Sequence, residues 1–68
     1  MKNLRGRRCT FFYFGVHKRQ RAEGYIIDMF EQPKTRERRA GTRLLIKYRR
    51  KPGDESWIEK YTDEITLI

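Results

Sequence analysis

The 68-residue chain holds one histidine, His17, and one cysteine, Cys9, and this scarcity closes off most site chemistry. A closed zinc site takes four ligands, usually from Cys or His pairs at short spacing. Carboxylates would have to supply the remainder here, so no metal centre is expected. His17, beside Lys18 and Arg19, reads as one more polar loop residue, and Cys9 as a small residue near the start of a strand. The acidic pairs Asp54/Glu55 and Asp63/Glu64 have the composition of an acid and a base. Both fall in turns of a domain with little surface to enclose a substrate. A glycine-rich phosphate loop, a G-x-S-x-G elbow and a Ser, His and Asp cluster are all absent. The expectation is a chain that is not an enzyme, with no cofactor and no small-molecule substrate.

The charges point elsewhere. Lys and Arg number 17 against 9 Asp and Glu, for a net charge of +8 and an isoelectric point near 10.2. Residues 1–50 carry 15 basic and 4 acidic side chains, and residues 51–68 carry 2 and 5, so +11 is set against −3. Net charge of this size concerns partners and solubility rather than fold. Solubility alone does not require so one-sided a balance, which makes a polyanion the expected partner. Arginine predominates, and its planar fork binds phosphate bidentately and stacks on bases. Four Phe, four Tyr and one Trp add rings, more than so small a core absorbs. Phe11, Tyr13, Trp57 and Tyr61 are the expected stacking platform, where an unpaired base gains about 1–3 kcal/mol per ring.

The elements that must position these groups are strands. Segments 8–16, 24–31, 42–50 and 56–61, with a closing segment at 64–68, are short, rich in aromatic or β-branched residues, and bounded by Gly, Pro or charge clusters. In the third, Thr42, Leu44, Ile46 and Tyr48 alternate with Arg43, Leu45, Lys47 and Arg49, the period of a sheet with one buried face. The first two are apolar on both faces, with Phe12, Phe14 and Val16 opposite Phe11 and Tyr13, and Tyr25, Ile27 and Met29 opposite Ile26 and Phe30. Leu44, Ile46, Ile58 and Ile65 are expected in the core. Pro52-Gly53 suits the centre of a type II turn. Pro33 and Gly41 stand where a short helix would place its first-turn proline and terminal glycine. That helix would be polar all round with Lys34 and Arg36 at its positive end, so a loop is preferred. One domain, residues 1–68, with a basic N-terminal segment of about 1–7, fits the length.

Successive turns of an antiparallel meander lie at alternate ends of the sheet. Lys18, Arg19 and Arg21 of the first loop, His17 to Glu23, should therefore meet Arg49, Arg50 and Lys51 at one end. Arg5, Arg7 and Arg8 should meet Lys34, Arg36, Arg38 and Arg39 at the other. Five short strands in so few residues are expected to bend and close into a small barrel. The run Leu45-Ile46-Lys47-Tyr48-Arg49-Arg50, then Pro52-Gly53, Trp57-Ile58 and Asp63-Glu64-Ile65, resembles the second half of a Tudor-like or chromo-barrel-like domain. The resemblance spans Leu44 to Ile68, about a third of the chain, and implies an all-β, five-stranded antiparallel SH3-like barrel. It also implies an aromatic cage for methylated lysine or arginine, to which Tyr48, Trp57 and Tyr61 could contribute. The first loop offers no aromatic, so that cage is incomplete, and a basic surface disfavours basic tails.

The expected function is thus non-catalytic nucleic-acid binding, DNA or RNA, with arginine-rich loops on phosphates and possible base stacking. The alternative is a protein-binding module or small regulator, of the kind viruses and mobile elements encode, docking on an acidic protein. A single cysteine excludes an internal disulfide and points to a reducing compartment. The apolar run Phe11 to Phe14 is far too short for a signal peptide or membrane span. The expected location is the cytoplasm, or the nucleus if eukaryotic. Met1 and the apolar finish at Ile68 are read as a complete small product.

Overall fold

A computed structural model describes residues 2–15 and 17–68. Met1, and Val16 at the expected end of the first strand, lie outside the described residues. Five strands form a single antiparallel sheet: β1 (Arg8–Phe14), β2 (Arg19–Gln32), β3 (Gly41–Tyr48), β4 (Ser56–Tyr61) and β5 (Ile65–Leu67). A single 3-10 turn, Thr62–Glu64, joins β4 to β5. The spatial order is β4-β3-β2-β1-β5, so the last strand returns to pair with the first, setting Cys9 opposite Leu67 and Phe11 opposite Ile65. The expected closure does not occur. β4 and β5 form the two edges of the sheet, because β5 has only three residues and covers no more than the first half of β1.

β2 runs five residues further toward the N-terminus than its apolar segment. Arg19 to Glu23 contain no large apolar residue and read as loop, yet they alternate in the strand sense. Gln20 and Ala22 face inward, partly buried, while Arg19, Arg21 and Glu23 are exposed. Pairing with β1 places Arg19 opposite Phe14 and Arg21 opposite Phe12, and tertiary pairing outweighs the weak local preference of such a sequence. The first connection is accordingly a tight turn in which Gly15 N–H donates to Lys18 O (2.8 Å). Midway, the β2–β3 register slips between Ile26 and Asp28. Two residues there oppose one, a bulge that leaves Ile27 exposed and restores Met29 to the inner face beside the core.

The connections follow their turn chemistry. In Lys51–Asp54 the Asp54 N–H donates to Lys51 O (3.1 Å), and Gly53 takes φ +81°, the conformation that the second central position of a type II turn needs. Pro33 to Ala40 form no helix. Thr35 Oγ1 instead accepts from Arg38 N–H at 3.0 Å. At Gly24, a Cβ would stand 2.7 Å from the Lys47 carbonyl oxygen and 2.8 Å from an Ile46 methyl. The close approach of β2 to β3 there requires glycine.

The core lies on the inner face: Cys9 and Phe11 from β1, Ile26 from β2, Leu44, Ile46 and Tyr48 from β3. Ile58 and Ile65 pack against it partly buried. The Phe11 and Tyr48 rings meet edge to face, their centroids 5.1 Å apart. Thr42, also buried, donates its hydroxyl to Glu31 Oε1 at 2.6 Å. Ile46 is fully buried. Ile46→Ala should therefore destabilise by roughly 2–5 kcal/mol, read as a lower urea midpoint. An unchanged midpoint would mean that the inner face is not the core.

Candidate nucleic-acid interface

The outer face of the sheet carries an array of rings and cations. On β1, Arg8, Thr10, Phe12 and Phe14 point outward, and across the ladder they meet Tyr25, Glu23, Arg21 and Arg19 in turn. Phe12 is 45% exposed and Phe14 87%. The Arg19 guanidinium sits 3.9 Å from the Phe12 ring centroid, a cation–π contact, and Arg21 Nη2 donates to Thr10 Oγ1 at 3.1 Å. A cleft of about 840 Å³ opens along this corner. Phe12, Phe14, Arg19 and Arg21 line it from β1 and β2 and Ile58 and Lys60 from β4, with the carboxylate residues Asp63 and Glu64 and, from β5, Ile65 and Thr66 also in its lining. It is the gap across which the two sheet edges do not join.

The first and third turns share an end of the sheet, as the meander requires. A second cleft there is lined by Tyr13, Phe14, Gly15 and Gln20 in and beside the first turn and by Arg50, Lys51 and Asp54 of the third. Arg19 and Arg21, however, are strand residues of β2 rather than loop residues. At the opposite end two of the expected arginines hold partners within the fold. Arg5 reaches Asp28 at 2.9 Å and Met29 O at 3.0 Å. Arg39 turns to Asp63 at 2.7 Å.

Ion pairs sort the basic residues into two sets. Arg5, Arg8, Arg39, Arg43, Lys47, Arg49 and Arg50 each face a carboxylate. Lys2, Arg7, Lys18, Arg19, Arg21, Lys34, Arg36, Arg38, Lys51 and Lys60 have no carboxylate within ion-pair distance among the described residues. Four of these, Lys18, Arg19, Arg21 and Lys51, lie in or beside the first and third turns at one end of the sheet; Arg7, Lys34, Arg36 and Arg38 lie toward the other. The Arg5 guanidinium and the Met29 N–H lower the Asp28 carboxyl below its ordinary range, the backbone hydrogen bond contributing most. Asp63 raises Arg39. Burial pushes the Cys9 thiol up, so at neutral pH it is a small apolar core residue rather than a thiolate.

Of the four expected stacking rings, only Trp57 is open, at 58% exposure. Phe11 is 2% exposed in the core and presents no face to a ligand. Tyr13 is partly buried against Tyr48, with its hydroxyl donating to Gln20 Oε1 at 2.8 Å. Tyr61 is covered, with the Arg39 guanidinium 3.9 Å and that of Arg43 4.8 Å from its ring centroid, and its hydroxyl donates to Arg39 O. Tyr48 is buried in the core while Trp57 is exposed, so Tyr48, Trp57 and Tyr61 do not converge on a cage. The exposed rings that sequence reasoning passed over are Phe12, Phe14, Tyr25 and Phe30. A signal for Phe12 and Phe14 was present, since Arg8 and Thr10 share their parity and mark that face of β1 as the wet one. Tyr25, Lys47 and Trp57 form one cross-strand row with Arg8.

Comparison with family models, with curated proteins and with solved structures yields no match. No helix among the described residues is long and apolar enough to cross a membrane. No group of three or more His, Cys, Asp or Glu among them could hold a metal ion.

Proposed function

We propose that this chain is a non-catalytic nucleic-acid-binding module on a small, open SH3-like sheet, holding phosphates along the β1–β2 corner and the adjoining turns. The observation that carries the reading is the cluster of free cations. Lys18, Arg19, Arg21 and Lys51 collect at one end of the sheet without carboxylate partners, in a chain of net charge +8. Such a cluster repels itself until counterions or a polyanion offset it. The SH3-like assignment rests on the meander order with its last strand returning to the first. As a second reading, exposed Tyr25, Ile27, Phe30 and Trp57 favour docking on an acidic protein.

The test is binding to single- and double-stranded DNA and RNA at two salt concentrations, beside a pull-down from nuclease-treated extract. Affinity should fall steeply with salt, at a logarithmic slope of about 0.7–0.9 for each phosphate neutralised. A flat salt dependence would remove the phosphate grip. An acidic protein captured from the extract, with no nucleic acid bound, would put the second reading in its place.

A further inference from the structure

We infer that the β1–β2 corner takes an extended single strand of nucleic acid, with successive bases on Phe12 and Phe14 and successive phosphates at Arg21 and Arg19. This rests on the nucleic-acid reading above and narrows it to one class of ligand.

The pitch of the surface selects the ligand. Phe12 and Phe14 are two apart on one face of a strand, which sets them about 6.8 Å apart. Each faces an arginine across the ladder, Phe12 opposite Arg21 and Phe14 opposite Arg19. By register the two strands therefore repeat one ring and one arginine per step, the composition of one nucleotide, with the guanidinium groups leaning one step along, Arg21 to Thr10 and Arg19 to Phe12. Bases in a duplex follow one another at about 3.4 Å along each strand, half the spacing of the rings. Two neighbouring bases can lie on the two rings only when unstacked from each other. A paired duplex also keeps its base faces inside and offers only groove edges and phosphates. A single strand pulled out to twice the stacked rise matches both the rings and the charges. Phe14 has no ring or guanidinium packed on it in any aromatic or cation–π contact among the described residues, and at 87% exposure it is an open face. On Phe12 the Arg19 guanidinium occupies the stacking face at 3.9 Å, so a base takes that face by displacing Arg19 toward the neighbouring phosphate.

The test measures fluorescence anisotropy of a labelled oligothymidylate and of a labelled blunt duplex against the parent, the double variant Phe12→Leu/Phe14→Leu, and Phe14→Leu alone. Leucine keeps an apolar strand residue and removes the π face. The parent should bind the single strand more tightly than the duplex. The double variant should lose about tenfold or more on the single strand with duplex affinity unchanged. Phe14→Leu should show part of that loss, and at its exposure it does not disturb folding. Equal weakening on both ligands, or no weakening on either, would overturn the inference while leaving nucleic-acid binding in place. A parent that binds neither ligand would overturn both.

Discussion

Phe11→Ala is expected to remove about 3–5 kcal/mol of stability, whereas Phe12→Ala, its neighbour in sequence, should cost about 1 kcal/mol or less. Phe11 is 2% exposed and Phe12 45%. Truncating Phe11 leaves a cavity bounded by Tyr13 and Tyr48, whose rings pack on it at 6.5 and 5.1 Å. A domain of this length has only about 0.05–0.15 kcal/mol per residue in hand, so the Phe11 variant should lose a large share of its stability and melt well below the parent. Phe12 is nearly half exposed and carries the Arg19 guanidinium on its ring. Thermal melts followed by circular dichroism would separate the two. Equal losses would mean that β1 is turned over, which would bury the proposed binding corner.

The second large effect is on binding. Neutralising Arg19, Arg21 and Lys51 to Gln together should reduce the logarithmic salt slope of nucleic-acid binding by about two to three. Neutralising Arg5, Arg8 and Arg39 removes the same net charge and should change the slope by less than about one. The difference is electrostatic. Arg5, Arg8 and Arg39 already sit on Asp28, Glu23 and Asp63, so a phosphate must compete with a carboxylate for each. Arg19, Arg21 and Lys51 are in no ion pair among the described residues, so a phosphate displaces no carboxylate from them. Exposed ion pairs contribute about 0–1 kcal/mol each, so neither triple variant should unfold, and melting curves check this. Equal slopes in the two variants would mean that net charge alone attracts the ligand and that the corner has no special role.

The sequence carried the fold class through β3, β4 and the turns, and this follows from the residues. Leu44, Ile46 and Tyr48 alternate with charged or half-exposed neighbours, and only one face can then go inward. Pro52 and Gly53 specify their turn by backbone preference alone. The openness of the sheet was not legible, because it depends on the three-residue reach of β5 rather than on any pattern. β1 was ambiguous, as four consecutive aromatic residues give no contrast of polarity, and that ambiguity put Phe11 on the surface and hid Phe12 and Phe14. In β2 a strict period of two groups Tyr25, Ile27 and Met29. The slip after Ile26 breaks that grouping, leaving Tyr25 outside and Met29 inside. The basic residues were legible as a set, but which of them are free was not, since Asp28, Glu23 and Asp63 reach their arginines from 15 to 24 residues away.

That slip also fixes how β2 can change length. Ile26 and Ile27 are identical, so deleting either produces the same chain, and in it Asp28 follows an inward isoleucine directly and Met29 still points to the core. A deletion elsewhere in β2 inverts the faces of every residue up to the slip or beyond it, carrying charges such as Arg21 or Glu31 to the wrong side. The isoleucine pair is thus the site where β2 can be shortened by one residue with its partners opposite Leu44 and Leu45 preserved. What would be lost is the extra local twist that a bulge imposes, and the two free edges would drift further apart.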